Sequence, residues 1–302
     1  MAHALQPIAE CDILKTHRSL SFQEDRYRYR ISFAGSSATY EVTDGTQTLR
    51  VPLEWAFGLG DAGQTYVFRR NGNFYESHVS FYRSIQGLDV TMGAASIHPS
   101  NIEEAAGRLM APQEAGQCFG CHATNATHDK KVDLSGLHPG VQCGRCHDGA
   151  SQHAAALAKG DASHTTVSRL SRLSTEEMST FCGQCHRTWS QIASGGPQGL
   201  ANVRFQPYRL TNSKCYAVDD ARIRCTACHN PHQALQRSVT FYDAKCQACH
   251  AAAGAKAGAK LCPVATTGCV TCHMPKLEIP GSHNRFTDHE IRVVRKNEAY
   301  PN

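Results

Sequence analysis

The sequence predicts an α+β fold: an N-terminal antiparallel β domain over residues 1–100, then a domain of short helices and loops over 101–302. Three observations predict it. Apolar and polar residues alternate near the N-terminus with the period of a half-buried strand. Two turn dipeptides, Asp44-Gly45 and Asn71-Gly72, sit between strand-like runs. From Cys118 to His273 one five-residue pattern then recurs six times among short, interrupted helical signals.

Taken in order, Tyr27, Tyr29, Ile31 and Phe33 alternate with Arg26, Arg28, Arg30 and Ser32, which predicts a strand with one buried face. Residues 38–43 and 47–51 flank Asp44-Gly45 and predict a hairpin; residues 64–70 and 74–82 flank Asn71-Gly72 and predict a second. Gly58, Gly60 and Gly63 mark the connection between the hairpins. The aromatics of this region read as sheet core; a face covering a cofactor is the sharper alternative. Pro99-Ser100-Asn101 offers an N-cap for a helix from Ile102 to Met110, with Glu103 and Glu104 in its first turn. Further on, residues 151–159 are helical in pattern and stop at Gly160. Ser174 and Glu177 form a capping box. Residues 191–200 read as a Ser/Gly/Pro loop, and 251–260 as an Ala/Gly/Lys surface connection.

The repeated pattern is Cys-x-x-Cys-His. Its copies are Cys118, Cys121 and His122; Cys143, Cys146 and His147; Cys182, Cys185 and His186; Cys225, Cys228 and His229; Cys246, Cys249 and His250; and Cys269, Cys272 and His273. This is the attachment signature of c-type haem. The two thiols reach the two vinyl groups of one haem, and the His that follows comes up under the iron as proximal ligand. Zinc sites do not need a His directly after the second Cys, and a thioredoxin-like motif would occur once. The sequence therefore predicts six covalently attached haem c groups, each with its iron. With one motif per about 26 residues, there is too little polypeptide for an ordinary core. The expectation is a haem-packed domain in which the haems themselves form the core, close enough to pass electrons.

The formal charge of +5 misleads, because two propionates per haem would add about twelve negative charges when ionised. There is no Lys/Arg block, so no nucleic-acid partner is expected. No apolar run approaches a membrane span. Haem is attached to reduced thiols outside the cytoplasm in bacteria, so a periplasmic or extracellular location is expected. The start Met-Ala-His-Ala-Leu carries no charged-then-apolar leader, and an export signal is expected upstream or already removed. Twelve of the fifteen cysteines lie in the motifs; Cys215 and Cys262 are expected to form a disulfide in an exported chain, leaving Cys11 unpaired.

Each iron needs a sixth ligand or stands open. Eleven histidines lie outside the motifs. His232 is the best candidate, since Pro231 turns its imidazole away from the haem of His229. His153 heads the helix after the second motif, and His283 and His289 follow the last one. His98 sits at the expected domain boundary. The sixth lies between His128, His138 and His164, and His128 is taken. Met274 directly follows a proximal His and is discounted. Bis-His ligation favours the ferric iron and leaves no substrate site.

With these residues in place, 105–296 resembles the bacterial multihaem cytochromes c related to the tetrahaem cytochrome of nitrifiers. The resemblance rests on Cys118-Phe-Gly-Cys-His, Gly140-Val-Gln-Cys-Gly-Arg-Cys-His, the Cys-His-Asn-Pro-His232 element, Cys269-Val-Thr-Cys-His-Met-Pro-Lys276 and Phe286-Thr-Asp-His289. It implies distal-ligand roles for His232, His283 and His289. The usual Gly-Pro-Gly after the second motif is Asp148-Gly149-Ala150 here, so its support for His153 is weaker. It also implies an earlier Cys-x-x-Cys-His segment before Met1, with His3 a ligand to that seventh haem.

The function expected is electron relay between other redox proteins. A reductase of nitrogen or sulfur oxyanions with one open haem is the alternative from a different class. A third is self-association into haem-continuous oligomers or filaments.

Overall fold

A computed structural model describes residues 1–161, 167–195, 198–250 and 262–295. The chain divides into two compact units, Met1–Ser168 with Pro280–Asn284, and Arg169–Ile279 with Arg285–Asn302. Helices and antiparallel strands are mixed, as an α+β chain requires.

The first unit is built on one sheet. Its early elements are β1 (Leu5–Pro7), α1 (Asp12–Thr16), β2 (Ser19–Glu24), β3 (Tyr27–Ala34), β4 (Ser37–Thr43), β5 (Thr48–Gly60), β6 (Gly63–Arg70), β7 (Asn73–Tyr82) and β8 (Gly87–Val90). Strands β2 to β8 pair in chain order, all antiparallel, and β1 joins the far half of β5. The alternation read in β3 is real: Tyr27, Tyr29, Ile31 and Phe33 are buried and the residues between them exposed. Each such side chain contributes about 1.5–3 kcal/mol on burial. The two ends of the path, β2 and β8, touch, so the sheet curls around this core. Glu24 on β2 meets buried His78 on β7 at 2.7 Å, and His78 lies 5.6 Å from the Tyr29 ring.

Both hairpins form for the reasons the dipeptides give. In the first, the Asp44 carboxylate accepts the amides of Thr46 and Gln47 at 2.9 and 2.7 Å. In the second, Asn71 and Gly72 both take positive φ, +49° and +79°, the pairing a two-residue primed turn needs. Gly60 and Gly63 do flank the turn between the hairpins, pairing with each other across Asp61-Ala62, while Gly58 lies further back inside β5.

The helix expected over 102–110 is cut short. α2 (Ile102–Ala106) is capped by the Asn101 side chain, but the chain then changes state to β9 (Gly107–Leu109), which pairs with β7. Gly107 sits at φ +154°, and a Cβ there would strike the Glu76 carbonyl. Ladder pairing has overridden helical propensity. The unit continues with α3 (Pro112–His122), β10 (Ala123–Thr124), the small hairpin β11 (Thr127–His128) with β12 (Lys131–Val132), β13 (His138–Pro139) and α4 (Ala150–Ala158).

The second unit holds α5 (Thr175–His186), α6 (Trp189–Ala193), α7 (Gln206–Leu210), α8 (Cys225–Cys228), α9 (Val239–His250), α10 (Cys269–His273) and a two-stranded piece, β14 (Lys276–Glu278) with β15 (Arg285–Thr287). The Ser174–Glu177 capping box is present at the start of α5. A helix, α6, with its own capping box at Thr188 and Gln191 occupies the start of the stretch read as loop over 191–200. The connection expected over 251–260 and His164 lie outside the described residues. Among the described residues no helix is long and apolar enough to cross a membrane.

Candidate haem-attachment sites

Within each motif the two Cys and the His stand at i, i+3 and i+4. On a helix these three positions share one face. The structure uses this repeatedly. The first, third, fifth and sixth motifs form the last turns of α3, α5, α9 and α10; α8 spans the two cysteines of the fourth, with His229 as its cap. The second is a 3-10 turn, Cys143–Arg145. Thiols and imidazole are thus presented together at a helix end, as one flat cofactor requires.

The proximal imidazoles are oriented by partners that the sequence did not disclose. His122 Nδ1 lies 2.9 Å from the Ala4 carbonyl, His147 Nδ1 2.8 Å from Ser168 O, and His273 Nδ1 2.8 Å from Arg292 O. His186 Nδ1 lies 3.1 Å from Gln206 Oε1, and His229 Nδ1 3.2 Å from the Tyr242 hydroxyl. An acceptor at Nδ1 fixes the tautomer that leaves the Nε2 lone pair for a metal, the usual outer support of a ligating His. Burial lowers the pKa of His122 and of His229, keeping both imidazoles in the neutral form that can bind iron.

Motifs that follow one another in the chain are tied together within each unit. Arg145, inside the second, donates from Nε to the Gly120 carbonyl inside the first at 3.2 Å. β10, just after the first motif, pairs with β13, just before the second. In the second unit the thiols of Cys182 and Cys225, the leading cysteines of the third and fourth motifs, are hydrogen-bonded, which lowers the pKa of Cys225. Cys246 and Cys269 lead the fifth and sixth and are neighbours; burial, then the neighbouring Cys269, pushes Cys246 up to about 12. Asp243 on α9, itself buried, accepts the amides of Gly268 and Cys269 at 2.6 and 2.8 Å and so fixes the start of α10.

The first motif is covered by the sheet. Phe119, between Cys118 and Cys121, is fully buried, with its ring 5.9 Å from Trp55, 5.0 Å from Phe57 and 5.2 Å from Phe74. Phe57 also lies 5.2 Å from the His122 ring. This part of the β region therefore does face an attachment site, the alternative set beside the plain core reading. The indole nitrogen of Trp55 is buried there without a hydrogen-bond partner.

The candidate distal ligands fall out unevenly. His289, half-buried, lies with its ring centroid 6.1 Å from that of His229 and donates from Nδ1 to the Thr287 carbonyl at 3.0 Å. Burial, then the companion imidazole of His229, pushes its pKa down to about 4. His153 is on α4 with Nδ1 buried and unpartnered. His283 has its Nε2, one of the two nitrogens an iron could take, on the Asp89 carboxylate at 2.6 Å, and its ring 4.8 Å from Tyr82. His98 and His128 are exposed, the latter 3.4 Å from Asp129. His232 is exposed in a turn that Asn230 stabilises by accepting its amide at 3.0 Å.

Cys215 and Cys262 are both free thiols, so the expected disulfide between them does not form; Cys262 is exposed and Cys215 partly buried. Cys11 is buried, its thiol donating to Gln64 Oε1 at 3.0 Å.

The residues present fit covalent haem. Thiol pairs and imidazoles share helix faces, Nδ1 atoms are anchored, and among the described residues no three His, Cys, Asp or Glu side chains converge as a zinc site would need. Comparison with known proteins agrees. A family model described as cytochrome c554 and c-prime matches residues 75–148, from β7 to just past the second motif. A multiheme cytochrome, MtrA, of Shewanella baltica (strain OS185) is 25% identical over 208 residues, covering 60% of this chain and 61% of its own length. The chain thus spans about six tenths of that curated relative. No solved structure matches it. Six Cys-x-x-Cys-His copies, the family match over 75–148 and the multihaem relative together make this chain similar to the bacterial multihaem cytochromes c, and they support covalent attachment of haem c at its motifs.

Proposed function

We propose that the chain binds six haems, one at each motif, and relays electrons among them outside the cytoplasm, in the periplasm or at the cell exterior. When bound, a haem supplies an iron that accepts and gives up one electron. The chain's own residues supply position. Twelve motif cysteines anchor the six groups, and His122, His147, His186, His229, His250 and His273 serve as proximal ligands. His98, His128, His153, His232, His283 and His289 are the proposed distal set, giving mostly bis-His irons with no substrate position.

The observation that carries the reading is the tying of successive motifs to one another. Arg145 on Gly120, Cys182 on Cys225 and Cys246 on Cys269 each set two attachment points side by side. Such spacing serves transfer between neighbours; a single reactive iron does not need it. The partners that follow are other redox proteins as donor and acceptor, with self-association into haem-continuous oligomers as a further mode.

Intact-protein mass and a carbon monoxide difference spectrum test the reading. The expected result is six added haems and no CO-binding fraction after reduction. A count other than six overturns the six-haem reading; an appreciable high-spin, CO-binding haem overturns the pure relay and favours the oxyanion-reductase alternative.

A further inference from the structure

We infer that His289 is the second axial ligand of the haem held by Cys225, Cys228 and His229, and that the buried pair Arg209–Asp288 holds it in that place. The inference rests on the haem reading above and specifies one iron of it.

The geometry of the two imidazoles comes first. Two rings on opposite sides of one iron stand about 6 Å apart, from two metal–nitrogen bonds of about 2 Å and about 1 Å from each nitrogen to its ring centre. His229 and His289 stand at 6.1 Å, their planes inclined by 42°. Each has its Nδ1 engaged, His229 with Tyr242 and His289 with Thr287, so each offers Nε2. His289 is thus a proposed distal histidine whose ring stands against a proximal one.

The backbone around His289 is fixed from both sides. Asp288 receives Nε and Nη2 of Arg209, each at 2.9 Å, and Nη1 of Arg292 at 2.7 Å. Its own amide donates to Pro275 O at 2.9 Å, tying it to the turn after the sixth motif. On the other side, Ser213 donates to the His289 carbonyl at 3.0 Å and accepts the Ile291 amide at 2.8 Å. Arg209 is 1% exposed and Asp288 0%. Burying two charges takes back much of what their attraction returns, so stabilisation alone is a poor account of the pair. What the pair does is hold one residue at a set distance from another.

The test uses the full-length holoprotein. His289→Met should leave the haem count by mass unchanged while converting one haem from bis-His to His/Met, seen as one low-spin EPR component changing its g values within the low-spin range and an upward shift of one midpoint potential. In a Cys225→Ser/Cys228→Ser background, which lacks that haem, the same substitution should alter no remaining component. Tyr242→Phe, which touches only the proximal side, should perturb the same component and serves where the double-serine background does not assemble. Arg209→Lys, keeping the charge without the planar fork, should perturb that component and no other. The inference is overturned if His289→Met changes no haem, or if its effect persists in the double-serine background. It is also overturned if Tyr242→Phe moves a different component, or if Arg209→Lys moves every haem or none. Absence of haem from the Cys225/Cys228 peptide of the wild type would instead remove the haem reading itself.

Discussion

At the scale of the residue, the cysteines and proximal histidines could be read directly, because haem attachment demands a fixed local spacing. Their supports could not. The acceptor for His122 is the carbonyl of Ala4, 118 residues away, and that for His186 is Gln206 on a different helix. Neither leaves a local mark, since a backbone carbonyl has no residue identity and a glutamine has many other uses. The effect of such a support can be calculated. An acceptor at Nδ1 makes the imidazole a stronger donor to ferric iron, and losing one changes metal affinity by about tenfold at the lower end. For a one-electron couple that is about 59 mV. Gln206→Leu should therefore raise one midpoint potential by about 60 mV and leave the others in place, as followed by spectroelectrochemical titration; an unchanged set of potentials would remove Gln206 from this role.

At the scale of the element, legibility depended on whether the cause was local. The Asp44-Gly45 and Asn71-Gly72 hairpins follow from turn chemistry contained in two residues, and both form. The helix after Asn101 is different: its cap is local, but its end is set by pairing of Gly107 with β7. The boundary expected at residue 100 has the same weakness. Strand signals do stop there, but Phe119 carries the first motif into the sheet's side of the same compact unit. Two tests belong here. Phe119→Ala removes a fully buried ring from among Trp55, Phe57 and Phe74 and should cost about 3–5 kcal/mol in denaturant unfolding; a loss below 1 kcal/mol would mean the sheet does not depend on this packing. The second concerns Asp44, whose carboxyl is held at about 2, first by the Gln47 amide and then by the Thr46 hydroxyl and amide. Its folded pKa is lowered, so its contribution is complete above the ordinary value near 3.9 and is lost as pH falls toward 2. Thermal melts from pH 5 to pH 2 should show a decline that Asp44→Ala reduces; identical profiles would dismiss the turn as its source.

At the scale of the molecule, the sequence counts attachment points but does not say which lie together, because that depends on helix packing between distant segments. The contacts answer it: α5 with α8, α8 with α9, α9 with α10, and the β10–β13 pairing between the first two motifs. A consequence reaches every surface of the protein. The polypeptide by itself is basic, with a formal charge of +5 and a sequence pI near 8.5. Six haems would carry about twelve propionates, nearly all ionised at neutral pH unless buried or paired. Each ferric iron returns one positive charge, so the loaded protein should be near neutral when oxidised and clearly negative when reduced; the reduced form should meet its redox partners through basic surfaces on their side, with association weakening as salt rises. Isoelectric focusing decides this. The reduced holoprotein should focus below pH 7 and clearly under the haem-free chain. A holoprotein that still focuses near pH 8.5 would mean that the propionates are neutralised inside the fold or that fewer haems are bound, and the count by mass separates those two outcomes.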